Sequence, residues 1–325
     1  MTRRVWKAGL LARALLLALA GVVFFFLAGL FVSWAPDRPR EDLRARWAPP
    51  PSQFLPIGQL VVHVRDEGPR DDPMPIVLLH GTSDSLHTWD GWTQVLRQQR
   101  RVIRFDLPGF GLTGPDPRAD YSVAADVRFV LAVLDHLGVV RCVLGGNSLG
   151  GQIAWRTALA APQRVGSLLL VDAGGYRLQP QELPLAFRLA RSEPMALVLE
   201  KLLPRGVVLS SVRNVYADAA KVTPELVDRY YDMALHAGNR RALMQRFAVV
   251  EPDQSARIRE LAQPTLVLWG DRDRLIPLQA GTQFARDIAG AKLVVFEGLG
   301  HLPHQEDPDG TVIEVLKFLE LAPHR

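Results

Sequence analysis

Residues 142–150 read Cys-Val-Leu-Gly-Gly-Asn-Ser-Leu-Gly, and this stretch is the most informative in the chain. Its first three residues form an apolar run typical of a buried strand, and a helical pattern follows that ends near Pro162. Between them, residues 146–150 have the pattern G-x-S-x-G, in which glycines let the backbone crowd at a sharp strand-to-helix turn. The stretch therefore predicts that Ser148 stands exposed at a sheet edge above a helix N-terminus. A helix N-terminus at this place would stabilise the negative charge of a tetrahedral intermediate.

Short apolar runs typical of buried strands recur on both sides of this stretch. They cover residues 76–79, 102–105, 168–171, 265–268 and 293–296, and residues 59–65 alternate like an entering antiparallel strand. A helical period spans residues 123–137, with Ser122 as its candidate N-cap and Gly138 just past its end. The alternation of strands and helices predicts an α/β fold, with a mostly parallel, doubly wound sheet covered by helices on both faces.

The alternation stops between residues 176 and 262. Helical patterns occur there at residues 183–189 and 195–203, and prolines cut the stretch into short helices. We predict a helical cap inserted at the carboxyl edge of the sheet, between core parts at residues 57–175 and 263–325. The alternative is that these helices only cover one sheet face. The apolar residues of the predicted cap either line an acyl pocket or form the cap's own packing core. They include Leu183, Leu185, Phe187, Leu189, Met195, Leu197 and Leu199.

The chain begins with an apolar segment. Residues 14–32 carry no charge, and a helix of that length spans about 29 Å, close to the roughly 30 Å hydrocarbon core of a bilayer. We predict a single-pass transmembrane anchor, preceded by a basic cytoplasmic N-terminus at residues 1–13 and followed by an extended, Pro-rich tether at residues 33–56. This orientation places the body on the extracytoplasmic side. The alternative is a signal peptide that is cleaved on secretion.

The charge of the chain is unevenly distributed. Its formal net charge is +4. Residues 1–50 hold eight basic and three acidic side chains, whereas the other 275 residues hold 30 basic and 31 acidic side chains. A nearly neutral body argues against a basic nucleic-acid-binding surface, so we expect no nucleic-acid partner. The only cysteine is Cys142, which excludes an intramolecular disulfide.

A serine hydroxyl is a weak nucleophile, so a base must accept its proton and an acid must orient that base. Two later strand ends supply candidates, at residues 269–273 and at residues 298–301. The chain order Ser148, Asp273, His301 is the one expected when the nucleophile lies on a G-x-S-x-G turn. The alternatives are Asp172, which ends the strand before the insertion, as the acid, and His304 as the base.

Further motifs give the chain a resemblance to the α/β-hydrolase fold superfamily, from about residue 57 to residue 320. His80-Gly81-Thr82 resembles its oxyanion loop, and residues 106–113 resemble its D-x-P-G-x-G loop, with Thr113 where serine is usual. Residues 270–277 resemble G-x-x-D-x-x-x-P, which selects Asp273 over Asp271, and residues 300–308 resemble its terminal Gly-His motif.

The resemblance implies a role for each matching residue. Ser148 would be the nucleophile, His301 the general base and then the acid, and Asp273 the group that fixes the histidine tautomer. Backbone N–H groups of Thr82 and Leu149 would form the oxyanion hole. The surrounding motif residues would support these groups without reacting themselves; they are His80, Gly81, Gly146, Asn147 and Gly150. No metal or cofactor is implied.

Two other site patterns are weak. Gly109, Gly111 and Gly114 satisfy the dinucleotide-binding pattern, but Pro115 and Pro117 follow at once, and that chemistry requires a helix opening at the glycines. His301, His304 and Glu306 have a spacing that does not suit a metal site on one helix face.

The type of nucleophile narrows the reaction. Dehalogenases and epoxide hydrolases of the superfamily carry aspartate at this position, whereas serine supports acyl transfer from esters, thioesters, lactones or amides. Carbon–carbon hydrolases of aromatic meta-cleavage products often read G-N-S-x-G-G, as residues 146–151 do, but residues 82–86 lack their glycine-rich loop. Together with the membrane segment, this departure favours a small or lipid-like ester substrate. A non-catalytic, membrane-tethered binding protein on the same scaffold is the third hypothesis.

Overall fold

The structure, a computed structural model, describes residues 2–176 and 200–321. One eight-stranded sheet has the order β1-β2-β4-β3-β5-β6-β7-β8. Its strands are β1 (Gln53–Ile57), β2 (Leu60–Glu67), β3 (Ile76–Leu79), β4 (Val102–Phe105), β5 (Cys142–Asn147), β6 (Val165–Val171), β7 (Thr265–Gly270) and β8 (Lys292–Phe296). Each apolar run of the sequence analysis lies within one of these strands, and the α/β prediction is confirmed.

The helices of the described residues lie between and beyond these strands. They are α1 (Thr2–Ser33), α2 (Arg40–Trp47), α3 (Asp90–Leu96), α4 (Val123–His136), α5 (Leu149–Ala160), α6 (Arg205–Val215), α7 (Pro224–Leu235), α8 (Asn239–Ala248), α9 (Leu278–Asp287), α10 (Pro303–Glu306) and α11 (Pro308–Leu321). Helix α4 begins and ends as predicted, because Ser122 Oγ accepts a hydrogen bond from the N–H of Ala125 and Gly138 follows with φ +65°.

The sheet is antiparallel only at its first edge. Strand β2 pairs antiparallel with β1 and with β4, and every later pair is parallel. Residues 59–65 were predicted to enter the sheet antiparallel, and this prediction is confirmed. Because strands β3 to β8 all run the same way, their carboxyl ends lie at one edge of the sheet, where the loops that follow them converge.

Two apolar cores cover the two faces of the sheet. On strand β3, Val77 and Leu79 join one core and Ile76 and Leu78 join the other, so consecutive side chains alternate between faces. Helices α4 and α5 pack in the first core, and α3 and α11 pack in the second. Because both faces are covered, the inner strands read as continuous apolar runs.

Helix α5 lies unusually close to the sheet. A Cβ on Gly150 would lie 2.2 Å from the carbonyl oxygen of Leu79, and a Cβ on Gly146 would lie 2.2 Å from the carbonyl carbon of Gly150. No side chain fits at either position, so the two outer glycines of G-x-S-x-G allow the strand-to-helix turn to close.

Helix α1 contains the predicted span at residues 14–32. Its stretch Leu15–Ser33 has a mean hydropathy of 2.8, with none of it buried, and it is long and apolar enough to cross a membrane. By length and composition alone, a signal sequence near the N-terminus would meet the same criteria.

The prediction of an extended tether at residues 33–56 is wrong. This segment contains α2 and most of β1. Helix α2 occupies the proline-free stretch between Pro39 and Pro49, and it buries Leu43 and Trp47 one turn apart against Leu112 and Met233. The prolines bound the helix rather than extending the whole segment.

The segment after α1 is bonded to the helices between β6 and β7. We call residues 200–262, which are most of the described residues between these strands, the helical insertion. The N–H of Ala35 donates to the carbonyl of Lys201 at 3.0 Å, and the N–H of Arg38 donates to that of Leu235 at 2.7 Å. Trp47 Nε1 donates to Asp232 Oδ2 at 2.8 Å. The chain that follows the C-terminal end of α1 is therefore held to the insertion by hydrogen bonds.

The helical insertion contains α6, α7, α8 and a 3₁₀ helix at Ser255–Glu260. The helix predicted at residues 183–189 lies outside the described residues, as does most of the one predicted at 195–203. The seven apolar residues proposed to line a pocket, between Leu183 and Leu199, also lie outside them.

Two glycine-to-alanine substitutions test the close approach of α5. We expect Gly150→Ala to lower the free energy of unfolding by about 1–3 kcal/mol or more, because the added Cβ overlaps backbone oxygens. Gly206→Ala is the control, since Gly206 lies in α6 with open space around it and should gain about 0.5–1 kcal/mol of helix propensity. Denaturant unfolding of the detergent-solubilised protein measures both, and equal effects would contradict this account of the packing.

Candidate active site

Ser148 lies at the sharp turn between β5 and α5. Its backbone angles are φ 54° and ψ −116°, a conformation that residues other than glycine rarely adopt. The turn is held because the N–H of Ser148 donates to the carbonyl of Val171 at 3.1 Å and its carbonyl accepts from Gly174 at 2.9 Å. Strain maintained by such bonds is a feature of reactive nucleophiles on this kind of turn.

Asp273 and His301 are brought together at the same sheet edge. The buried Asp273 Oδ2 accepts a hydrogen bond from His301 Nδ1 at 2.6 Å, and Oδ1 accepts from the N–H groups of Leu275 and Ile276 at 2.7 and 3.0 Å. With its Nδ1 proton donated to the carboxylate, the imidazole has Nε2 left to accept a proton. The carboxylate thus fixes both the ring orientation and its tautomer.

Asn147 connects the serine turn with the histidine loop. Its buried side chain donates from Nδ2 to the carbonyl of Val171 at 3.1 Å and to that of His301 at 3.0 Å. This residue was expected to support the motif, and its described contacts join the ends of strands β5 and β6 to the loop after β8.

Glu306 holds the backbone around His301. Its carboxylate accepts from the N–H of Gly300 at 2.9 Å, and from those of Ala217 and Asp218 in the helical insertion at 3.1 and 2.8 Å. The N–H of His301 itself donates to the carbonyl of Val215 at 2.8 Å. The insertion therefore helps to position the histidine directly. No sequence pattern predicted this contact.

The two expected oxyanion donors belong to segments next to Ser148. Leu149 is the first residue of α5, where backbone N–H groups are free of helical partners. Thr82 follows Gly81, whose added Cβ would lie 2.8 Å from Asn147 Oδ1 and 3.2 Å from Ser148 Cβ. The loop that carries Thr82 is thus packed directly against the serine turn.

His80 shapes the loop that carries Thr82. Its Nδ1 donates to the carbonyl of Gly81 at 2.7 Å, and its Nε2 accepts from the N–H of Leu107 at 2.9 Å. Burial lowers the pKa of His80, so the imidazole stays neutral and makes both bonds.

His304 makes its contacts with Trp89 and Thr88, not with Asp273. It is fully buried, stacks on Trp89 with ring centroids 4.1 Å apart, and bonds through Nε2 to Thr88 Oγ1 at 2.8 Å. Burial, with added repulsion from His301 and Arg229, lowers the pKa of His304 well below its ordinary value. These contacts describe a packed core histidine.

Asp172 lies beside the dyad without bonding to the histidine. One oxygen or nitrogen atom from each of Asp172, Asp273 and His301 lies within 4.8 Å of the other two, a separation that a cation could bridge. The Nδ1 of His301 and the Oδ2 of Asp273 are already hydrogen-bonded to each other, which favours a hydrogen-bonded dyad over a metal site.

The D-x-P-G-x-G loop is built around a buried carboxylate. Asp106 accepts from the N–H groups of Leu86 and Leu112, each at 2.7 Å, and from His63 Nδ1 at 2.8 Å. Burial opposes its charge, but the adjacent His63 holds the pKa of Asp106 well below its ordinary value. Thr113 serves in place of serine, because its hydroxyl donates to the carbonyl of Asp106 at 2.9 Å.

The glycines of this loop form no dinucleotide site of the expected kind. The N–H of Gly109 donates to the carbonyl of Gly114 at 2.7 Å, which closes the loop on itself. The next helix, α4, begins only at Val123, so no helix N-terminus opens at these glycines.

Gln305 lies at the centre of a side-chain hydrogen-bond network that no sequence motif indicated. Its Nε2 donates to Asp84 Oδ2 at 2.9 Å, and its Oε1 accepts from Tyr216 Oη at 3.0 Å. Tyr230 Oη, on α7, also donates to Asp84 Oδ2 at 2.6 Å. The network joins the loop after β3, the helix after His301 and the helical insertion, and no short-range motif connects residues so far apart in sequence.

Comparison with known proteins agrees with this architecture. The profile of the α/β-hydrolase fold family matches residues 74–308. An uncharacterized protein of Mycobacterium tuberculosis is 30% identical over 300 residues, which cover 87% of this chain and 84% of the relative. The 2-hydroxy-6-oxo-2,4-heptadienoate hydrolase of Pseudomonas putida is 30% identical over 258 residues, covering 75% of this chain and 88% of the relative.

A solved structure also resembles the chain over nearly its whole length. A membrane phospholipase A, described as a novel bacterial virulence factor, is 26% identical with a TM-score of 0.69. The likeness covers 98% of this chain and all of that one, so it extends into the region of α1.

Proposed function

Because the chain belongs to the α/β-hydrolase fold family, we propose that it is a membrane-anchored serine hydrolase that cleaves carboxylic esters through an acyl-enzyme. The proposal rests on one geometrical fact: Ser148 stands at a strained turn on the same sheet edge as the dyad of Asp273 and His301. A nucleophile, a base and an orienting acid on loops at one edge of the sheet are the requirements of acyl transfer.

In the proposed mechanism each group acts at a stated atom. Nε2 of His301 takes the proton of Ser148 Oγ as that oxygen attacks the ester carbonyl, and Asp273 stabilises the resulting imidazolium. Backbone N–H groups of Thr82 and Leu149 donate to the oxyanion, helped by the N-terminus of α5. His301 then protonates the leaving alcohol, and a water molecule activated by the same histidine hydrolyses the acyl-enzyme.

Three observations support a lipid-like ester as substrate. Helix α1 has the length and hydropathy of a membrane span. The segment after it is bonded to the helical insertion, so the anchor would hold the insertion near the bilayer. The basic residues that precede the span would keep the N-terminus in the cytoplasm and place the body on the extracytoplasmic side. The similar membrane phospholipase A acts on esters of this class, according to its name. No cofactor and no nucleic-acid partner enters the proposed reaction.

Carbon–carbon bond hydrolysis is the second candidate function. Residues 146–151 read Gly-Asn-Ser-Leu-Gly-Gly, a sequence frequent among hydrolases of meta-cleavage products, and a heptadienoate hydrolase is 30% identical. Residues 82–86 depart from the glycine-rich loop that those enzymes usually carry. A non-catalytic binding protein on this scaffold is a third possibility, which labelling of the serine tests.

Replacement of the nucleophile tests the serine mechanism. We expect Ser148→Ala to lower kcat for ester hydrolysis by at least about 10⁴-fold and to abolish labelling by a fluorophosphonate probe, because no other group forms the acyl-enzyme. Ser211→Ala is the matched control, since this exposed serine of α6 lies outside the dyad and the nucleophile turn. Substantial residual turnover by Ser148→Ala, or an unlabelled wild type, would contradict the proposal.

A paired assay distinguishes ester from carbon–carbon hydrolysis. The purified full chain in detergent is given a series of p-nitrophenyl esters of increasing acyl length and, separately, a meta-cleavage dienoate. We expect higher kcat/KM for the esters, rising with acyl length as more apolar surface is buried. A dienoate turned over orders of magnitude faster than every ester would instead establish the second candidate function.

Fractionation tests the membrane anchor. We expect the full-length protein to sediment with membranes, to resist extraction by alkaline carbonate and to be released by detergent, since about 19 apolar residues are buried in lipid. N-terminal sequencing of the isolated protein should find the residues of α1 still present. Recovery of soluble protein that begins after residue 33 would mean that α1 is a cleaved signal.

A further inference from the structure

Asp172 is a fully buried carboxyl group for which the proposed mechanism has no role. It follows β6 directly, and β6 lies between β5, which leads to Ser148, and β7, which leads to Asp273. Its φ is +42°, a strained value that aspartate tolerates better than most residues. Its Oδ1 accepts from the N–H of Gly270 at 3.1 Å, whereas its buried Oδ2 has no hydrogen-bond donor among the described residues.

The carboxylate of Asp273 has room for one more donor. A carboxylate offers about four acceptor positions. Three are taken, by the N–H groups of Leu275 and Ile276 and by Nδ1 of His301. The side chain of Asp172 lies beside the same carboxylate, because one of its oxygens is within 4.8 Å of an oxygen of Asp273 and of a ring nitrogen of His301.

Two ionised carboxylates cannot be held together at this place without cost. Each would be buried, and their mutual repulsion would not be screened by water. A proton on Oδ2 of Asp172 resolves both difficulties, because it removes one of the charges and turns the unpartnered oxygen into a donor.

We propose that Asp172 is a positioning residue, which stays protonated and donates a hydrogen bond from Oδ2 to the carboxylate of Asp273. This bond fills the remaining acceptor position of the Asp273 carboxylate and fixes the plane of that carboxylate relative to His301. It also leaves one negative charge, not two, beside the imidazole. The positioning role rests on the proposed function, but the protonated state of Asp172 does not.

The electrostatic surroundings of Asp172 agree with this arrangement. Burial and, after it, the neighbouring charge of Asp273 raise the pKa of Asp172 well above its ordinary value. The titratable groups that face it in the described part of the chain are Asp273, after β7, and His301, after β8. The residues beside it on the β5 turn, Asn147 and Ser148, carry no charge. Neither a lysine nor an arginine is among these groups, so no permanently charged cation favours the ionised form of Asp172.

The first arm of the test measures stability against pH and needs no substrate. A carboxyl whose pKa is raised by folding stabilises the protein at low pH, and that contribution is lost as pH rises through the folded-state value. Asp172→Asn has the same shape and donates without titrating. We therefore expect the folding equilibrium constant of Asp172→Asn, relative to wild type, to increase with pH above about 4, by up to about tenfold per pH unit.

The second arm measures ester hydrolysis in the full-length protein. We expect Asp172→Asn to keep kcat within about threefold and to leave the midpoint of the acid limb of the kcat/KM profile unmoved, since neither side chain carries a charge. Asp172→Gly fits the positive φ but removes the donor. It should lower kcat by about tenfold or more, with KM nearly unchanged.

Each contrary result overturns a stated part of the inference. If Asp172 were ionised, Asp172→Asn would remove a charge, the acid limb would move to lower pH and the stability ratio would not rise with pH. Failure of Asp172→Asn to fold would equally contradict a neutral donor of that shape. An unchanged kcat in Asp172→Gly would exclude the positioning role. Wild type that hydrolyses no ester would reject the proposed function, while the stability arm would still decide whether Asp172 holds a proton.

Discussion

The backbone turn at Ser148 is the constraint on which the rest of the site depends. A strand can pass into a helix within one residue only if the two elements nearly touch, and here Gly146 and Gly150 remove the side chains that would prevent it. The turn forces Ser148 to a positive φ, and hydrogen bonds to Val171 and Gly174 hold it there. The same closeness brings the N-terminus of α5 to the point where negative charge would develop.

The neighbouring strand ends complete the site because they run parallel. Strands β6, β7 and β8 follow β5 across the sheet and run parallel to it, so the residues after them reach one edge from distant parts of the chain. Asp172, Asp273 and His301 are gathered in this way, and Asn147 and Glu306 bond the loops to one another. The helical insertion is part of this support, since Val215, Ala217 and Asp218 bond to the histidine loop.

The segment after α1 extends the same connected structure toward the N-terminus. Leu43 and Trp47 pack beneath the insertion, and Asp232 of α7 accepts from Trp47 and pairs with Arg38 at 2.9 Å. A helix of membrane length is therefore joined to the core by packed side chains and by backbone hydrogen bonds. The sequence pattern of prolines predicted a loose tether here, because proline marks the ends of helices and extended segments alike, and only burial distinguishes the two.

The amino-acid sequence by itself determined the positions of most strands along the chain, the α/β architecture and the candidate triad. These follow from local signals: apolar runs of strand length, the glycines around Ser148, and short motifs that end in Asp273 and His301. Only the tertiary structure decided which side chains meet. Nothing in the spacing of Gln305, Asp84 and Tyr230 predicts their shared network, and the sequence offered Asp172 only as a rival to Asp273, not as its neighbour. Such contacts depend on which strands lie side by side and on which groups are buried together, and those are properties of the folded chain rather than of any segment of it.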